Sequence, residues 1–576
     1  MPQLITRRSL LSNALKTSLG LAILQTMKGG PTTLLAETVT PQVDRFAPAF
    51  QRLDQFIARH MSELGLPGMT VAIADRKGLL RASQYGFADL KTQTRPTPQT
   101  LFEIGSISKS FVAIATMQLV EEGKLDLQKP VKDYLPWLKI ESSFAPITTH
   151  HLLSHTSGLS GVPLLMRVAA TTLRTGFAPG SNWVYSNIGY VLLGFLLETL
   201  DQRPLSEVLR RRVLSPIGMT MSEPAITNSI RGRVAIGYNA LYPDRPFPLK
   251  GQLAEAPWVE VPEGAGSVAA TAADMGGYLR MLLNSGMGGN ARVLSEKTFE
   301  RFTAPVIKSP FHGEDASYAY GLWVSDNNGH KLLRHTGGMI AFSSAMYADL
   351  TDGFGAFASV NARVGGGYRP VEVTQYALNL LSAAAAGREL PAPPPVPPAP
   401  DKIKNAADYA GTFTATDGSK LVLASEGEQL LLVHNGQRVV LEQMGRDHFI
   451  VKHPEFDMFL LAFGREKNVV VEAFHGSRWW TNERYAGPKT FEYPKEWDAL
   501  TGHYRSDSPW YGSSRVVIRK GRLLFDGEAP LAPVEPGVFR LPGATTADWI
   551  AFDTIVNGKA THLNYSGIEF FRTFTP

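Results

Sequence analysis

Seven prolines fall within the ten residues Pro391-Ala-Pro-Pro-Pro-Val-Pro-Pro-Ala-Pro400. Each proline locks its own φ and lacks an N–H, so the segment can neither continue a helix nor lie inside a sheet. It is predicted to be an extended, semi-rigid polyproline II spacer. The domain organisation follows from it: a first domain over residues 45–388, a linker over 389–402, and a C-terminal part that divides again.

That C-terminal part repeats itself at a spacing of roughly 90 residues. Tyr409-Ala-Gly-Thr-Phe413 echoes Leu500-Thr-Gly-His-Tyr504, and Ser419-Lys-Leu-Val-Leu423 echoes Ser514-Arg-Val-Val-Ile518. Phe449 matches Phe539, and Phe459 matches Trp549. Short alternating stretches separated by turn signals such as Asn435-Gly436 and Lys520-Gly521 predict meandering antiparallel sheet. Two small β-barrel or sandwich modules are expected, over 403–490 and 491–576.

The first domain mixes helical and strand periods. Ser106–Glu122 (SISKSFVAIATMQLVEE) has apolar residues at helical spacing and is stopped by Gly123. Ile188–Leu200 is a second helical run, and Thr271 is a candidate N-cap for a third. Met69–Ala74 and Met339–Val360 read as strands. A sheet with helices packed on it follows, an α+β class.

Composition narrows the chemistry. Of 576 residues, 44% are hydrophobic and 19% charged, enough apolar material for a large core. The chain has no cysteine, which excludes disulfides, cysteine nucleophiles, iron–sulfur clusters and thiolate zinc sites. Its net charge is +5, but Arg7, Arg8, Lys16 and Lys28 precede the first acid, Glu37, so the body carries only +1. The basic footprint of a nucleic-acid binder is missing. No apolar run of 18 or more residues occurs, so no integral membrane segment is expected. Residues 1–36 have the composition of a targeting segment. Within them Thr6-Arg7-Arg8-Ser9-Leu10-Leu11 resembles a twin-arginine export signal, which implies a periplasmic or secreted protein, with a mitochondrial address as the alternative.

Three motifs carry chemistry. Ser106-Ile-Ser-Lys109 is the only S-x-x-K in the chain, and its i, i+3 spacing puts serine and lysine on one helix face. A serine hydroxyl becomes a nucleophile when a neighbouring base takes its proton, and a lysine of lowered pKa can be that base. An N-cap serine beside a solvated lysine would look the same. Tyr185-Ser-Asn187 is the only Y-x-N. A tyrosine hydroxyl beside a lysine cation can become acidic enough for general-base work, and an asparagine amide can orient lysine and substrate together. The plain alternative for Tyr185 is a packed aromatic. In His335-Thr336-Gly337-Gly338 the glycines would let a substrate approach the backbone at a strand start, where a free N–H can complete an oxyanion hole. A glycine turn with an incidental histidine is the alternative.

Together, in this order, the motifs resemble those of the serine β-lactamase and penicillin-binding protein superfamily, in the branch of class C β-lactamases, D-aminopeptidases, DD-carboxypeptidases and β-lactamase-like esterases. His151-Leu-Leu-Ser-His-Thr-Ser-Gly-Leu159, Pro179-Gly180 and Gly264-Ala-Gly-Ser-Val-Ala-Ala-Thr271 share the likeness. The resemblance implies an antiparallel sheet covered by helices, an all-helical subdomain and a site between them. It implies Ser106 as acyl-forming nucleophile, Lys109 and Tyr185 as the proton-handling pair and Asn187 as the substrate-orienting amide. The N–H groups of Ser106 and Gly338 would form the oxyanion hole, with His335, Thr336 and Gly337 beside the substrate. No cofactor or metal is implied, and the partner is a small-molecule or short-peptide substrate.

His335 departs from the lysine common in β-lactamases and carboxypeptidases. A histidine is mostly neutral at pH 7 and replaces a fixed cation poorly. The expectation is therefore a serine hydrolase forming an acyl-enzyme at Ser106, acting as a peptidase or amidase on short peptides, D-residue-containing ones included, in the manner of a D-aminopeptidase. Its alternatives are a carboxylesterase or weak β-lactamase, and, from another class, a non-catalytic acylatable binding protein.

The remaining candidates have bland explanations. His150, His151 and His155 lack the partners of a metal-hydrolase motif. Asn361–Tyr368 (NARVGGGY) lacks the lysine and serine of a phosphate cradle. Trp479-Trp480 and Trp510-Tyr511 are either ligand-facing aromatics or rim packing of the β modules.

Overall fold

The computed structural model describes residues 45–161, 172–289, 291–309, 313, 315–327, 329–396, 398–541 and 548–573. The targeting segment expected at 1–36 lies outside the described residues. Residues from Arg45 onward form one compact unit.

The first domain is built on an antiparallel sheet. Its strands are β1 (Gly68–Asp75), β2 (Leu79–Gly86), β3 (Ile307–Lys308), β4 (Ser317–Tyr318), β5 (Trp323–Asn327), β6 (His330–Gly338), β7 (Ser343–Asp349) and β8 (Phe354–Val360), in the spatial order β2-β1-β8-β7-β6-β5-β4-β3. Both faces are covered, which explains why β1 is buried at every position from Gly68 to Ala74. Met69, Val71 and Ile73 pack under helices α1 (Ala47–Leu64) and α6 (Val371–Ala385). Ala72 and Ala74 point the other way, into the cluster containing α2 (Ser108–Glu121) and α5 (Ala272–Leu283). The expected cap is present: the Thr271 side chain accepts from Asp274 N–H at the start of α5.

Helix α2 is buried nearly all round, from Ser108 to Met117. A helix apolar on every face belongs inside a core rather than on a surface. It forms the centre of the helical layer with α4 (Asn187–Asp201). Two local expectations change. Ser106 is not an N-cap: it sits in a 3-10 turn, Gly105–Ile107, that leads into α2. The segment His335–Gly338 is a strand end rather than a strand start, because β6 begins at His330 and Met339–Phe342 is a tight turn closed by Met339 N–H to Phe342 O. The glycines misled because their role is close approach, not initiation.

The C-terminal part consists of two barrel-like sheets. Eight strands from Gly411–Thr414 to Arg478–Thr481 close into a barrel. The second sheet runs from Gly502–Arg505 to Ile568–Thr573 and is a meander of the same kind with one strand broken into Ala529–Pro530 and Ala532–Glu535. Pro530 and Pro533 cannot donate ladder hydrogen bonds, so that strand pairs with one neighbour through its first half and with the other through its second. The repeated aromatics occupy matching places, since Phe449 and Phe539 are both core residues of the strand that follows. The proline segment is strapped to the first domain: Arg52 donates to Leu390 O and Pro391 O, Arg59 to Pro394 O and Tyr376 Oη to Pro391 O. Extended proline carbonyls have no internal partners and are free to accept.

At the sheet end away from Gly338, His330 Nδ1 lies 2.8 Å from Asp349 Oδ2 and 3.7 Å from Asp352 Oδ1. The hydrogen bond to Asp349 raises the histidine above its ordinary pKa. A raised folded-state pKa contributes stability that is full below about 6.5 and lost as pH rises through the folded value. The urea midpoint of the wild type should therefore exceed that of His330→Asn at pH 5.5, and the gap should close by pH 8.5. A gap independent of pH would contradict the pairing.

Candidate active site

The site lies where the start of α2 meets the end of β6. Gly105 has φ +54, and a Cβ there would stand 2.8 Å from Gly338 N, so only glycine lets the Ser106 turn touch the strand. Gly337 is tighter still: its Cβ would lie 1.9 Å from Ile104 O.

Three residues after Ser106, Lys109 is fully buried. Its Nζ lies 3.0 Å from Ser106 Oγ, 2.8 Å from Asn187 Oδ1 and 2.7 Å from Ala265 O. Among the described residues no carboxylate pairs with it. Burial without a counter-ion pushes the lysine well below its ordinary pKa. Two of the three neighbours, an amide oxygen and a peptide oxygen, can only accept. The third, the serine hydroxyl, can also donate, so a neutral lysine satisfies the whole arrangement.

Tyr185 and Asn187 are placed by the start of α4. Ser186 is its N-cap, accepting from Gly189 N–H, and also donates to Ser160 O. The Tyr185 hydroxyl is buried, faces Ser106, and makes no hydrogen bond of good geometry among the described residues. Burial pushes it up, against smaller opposing influences from Ser106 and Arg369. Lys109 Nζ sits over the tyrosine ring, 4.9 Å from its centroid, rather than at the hydroxyl. The acidifying effect expected of a lysine cation beside Tyr185 is thus outweighed by desolvation in the resting site.

The ladder between β5 and β6 ends at Trp323–Arg334, and residues 335–338 continue beyond it, paired with β7 from Met346 to Ser343. Thr336 and Gly338 are partly exposed, whereas the His335 side chain is 1% exposed, packed on Trp323 and 3.3 Å from Tyr318 Oη. A fixed cation does stand nearby: Arg369 Nη2 occupies the space a Gly338 Cβ would fill, 2.1 Å from that position. Its guanidinium is held by Tyr368 O at 2.7 Å, at the end of the glycine-rich loop.

The second barrel forms part of the surrounding wall. Asp548 accepts a hydrogen bond from Ser160, the residue whose carbonyl holds Ser186. Trp510 packs against the larger apolar cluster that includes Met339, Ala341 and Phe342, the residues after Gly338. Trp480, by contrast, is core of the first barrel, and Trp479 borders a cleft of about 810 Å³ between the barrels.

A model of the β-lactamase family matches residues 53–381, more than half of the chain. The chain belongs to that family. It is 32% identical over 207 residues to a β-lactamase of Providencia stuartii, covering 34% of this chain and 53% of the relative. It is 23% identical over 333 residues to protein flp of Staphylococcus aureus (strain N315), covering 54% and 63%. The chain therefore spans less than two thirds of either relative's length. The structure of the octameric penicillin-binding protein homologue from Pyrococcus abyssi shares the fold, with a TM-score of 0.52 at 23% identity, covering 75% of this chain and 100% of that one. The superfamily is one of serine hydrolases.

In this β-lactamase-family chain, Ser106, Lys109, Tyr185, Asn187 and the β6 end converge on one place. The motif search could not find Ala265 O, a backbone atom, or Arg369, whose only sequence signal is its place after Gly365-Gly-Gly-Tyr368. The three neighbouring histidines are each engaged locally: His150 with Tyr320 Oη, His151 with Thr148 and His155 with Ser186 N–H. Among the described residues no helix is long and apolar enough to cross a membrane.

Gly337→Ala should lower unfolding free energy by about 1–3 kcal/mol, because the methyl meets the Ile104 peptide oxygen. Gly338→Ala should cost clearly less, since it meets only the movable end of Arg369. Equal losses in denaturant titrations would contradict this geometry.

Proposed function

We propose that this chain is an exported serine hydrolase that forms an acyl-enzyme at Ser106 and cleaves short peptides or amides, D-residue-containing ones included, as a D-aminopeptidase does. The observation that carries the reading is the buried Lys109 set between Ser106 Oγ, Asn187 Oδ1 and Ala265 O. Neutral lysine accepts the serine proton as Oγ attacks the substrate carbonyl carbon. The oxyanion that forms lies at the N–H groups of Ser106 and Gly338. Breakdown releases the amine, which takes the proton back through the Lys109–Tyr185 pair, and leaves an ester on Ser106. Water then attacks the ester carbon, delivering its proton to the same pair; the C–Oγ bond breaks, the pair returns the proton to Ser106 Oγ, and the acid is freed. The partly exposed Thr336 and Gly338 at the β6 end suit a short extended substrate, with Asn187 and Thr336 orienting it. The wall formed by Ser160, Asp548 and Trp510 favours small substrates. The twin-arginine-like start supports export.

A specific observation favours a second reading. Arg369 beside Gly338 supplies the fixed positive charge that His335 does not, and so suits carboxylate-bearing esters or β-lactams.

Intact-protein mass spectrometry after exposure to a fluorophosphonate and to a penicillin tests the nucleophile. The wild type should gain one adduct and Ser106→Ala none; labelling of both proteins alike would overturn the assignment. The labelling rate should fall as pH drops and Lys109 takes a proton, and Lys109→Arg should lower it by about 10²–10⁴-fold. Comparison of D-aminoacyl amides with matched esters assigns the substrate. Should Arg369→Ala slow penicillin labelling at least tenfold while sparing the fluorophosphonate, the second reading takes precedence.

A further inference from the structure

His155 is the residue the catalytic reading leaves unused, although its ring centroid lies 4.3 Å from that of Tyr185. It follows helix α3 (Thr149–Leu153) and adopts φ +60, a left-handed conformation that is unfavourable for a residue with a Cβ. Its backbone carbonyl accepts Val184 N–H at 3.0 Å, and its ring Nδ1 accepts Ser186 N–H at 3.1 Å. In extended chain, N–H groups two residues apart point the same way. One residue thus acts as a strand partner across Tyr185, with the imidazole standing in for the next peptide carbonyl. We infer that His155 is a positioning residue, which fixes the Tyr185–Asn187 segment against Lys109 by clamping the peptide on both sides of the tyrosine.

Two further observations fit. An Nδ1 that accepts leaves the ring proton on Nε2, and that Nε2 is buried with no hydrogen-bond partner among the described residues. A buried donor left unmade is unfavourable, so the ring is held there against a cost. Burial holds the imidazole well below its ordinary pKa, which favours the neutral form that the clamp requires. A protonated Nδ1 would face the Ser186 N–H donor to donor. The clamp is also continuous with the rest of the site: Ser186 caps α4, whose first residue is Asn187, and Asn187 Oδ1 takes a Lys109 hydrogen.

The inference rests on the proposed acyl-enzyme, and the test separates the two. The probe is a fluorophosphonate, and both the maximal labelling rate and the half-saturating concentration are measured. Asparagine tolerates the left-handed region and places Oδ1 where Nδ1 stands, so His155→Asn should keep the maximal rate within about fivefold. His155→Gln sets its amide one bond farther out, and His155→Leu has no acceptor. Both should lose about 10²-fold in maximal rate, as expected for a small misplacement of a reacting group, with half-saturation little changed. Equal rates for all the variants, or Asn as slow as Leu, would overturn the clamp while leaving the nucleophile assigned. Absence of labelling in the wild type would instead overturn the acyl-enzyme reading itself. If Leu does not fold, the contrast between Asn and Gln still decides.

Discussion

The structure is arranged around one electrostatic constraint, the full burial of Lys109 with no carboxylate among the described residues to pair it. An isolated ammonium in a low-dielectric interior is costly, and the group responds by giving up its proton. Removing that lysine from water requires a helix buried on all sides, and α2 is apolar nearly all round. It also requires acceptors placed without charge, and these are a peptide oxygen from Ala265 and an amide oxygen from Asn187. The serine is what remains in the third direction. The proposed nucleophile and its proposed base are thus two consequences of one packing arrangement.

The rest of the site is held by backbone rather than by side-chain chemistry. Glycines at 105 and 337 allow the Ser106 turn and β6 to approach closely. The ladder between β5 and β6 ends at Arg334, and beyond it Thr336 and Gly338 are partly exposed. Histidine 155 borrows a strand-like pairing to hold the tyrosine. Arg369 reaches the same point from the loop before α6, which itself packs on α1 beneath the sheet. The second barrel is not a remote appendage: it bonds to Ser160 and packs on the cluster that includes the residues after Gly338, while the proline segment is bound to α1 and α6.

Much of this was legible in the sequence where the signal is local. The i, i+3 pair Ser106 and Lys109 needs only helical geometry, the cap at Thr271 only a short-range rule, and the barrel repeat only alternation and turn residues. The order of the three motifs then supplied the family. What the sequence hid is three-dimensional. Ala265 contributes through a carbonyl common to every residue, so no residue type marks it. Arg369 lies 31 positions beyond Gly338 in sequence and meets it only once β7 and β8 have folded back. His335 was expected beside the substrate, yet Trp323 and Tyr318 cover its ring; the alternation of a strand puts Thr336 and Gly338, not His335, towards solvent. The direction of the tyrosine shift also depends on desolvation, which only burial reveals.

The most direct test of the central claim is a titration of Lys109 itself by NMR on protein with isotope-labelled lysine, the resonance being assigned by its loss in Lys109→Arg. The account predicts one lysine that titrates well below the ordinary value of about 10.5 and is neutral near pH 7. A Lys109 resonance that titrates with the surface lysines would contradict it, and with it the lysine's role as proton acceptor for Ser106.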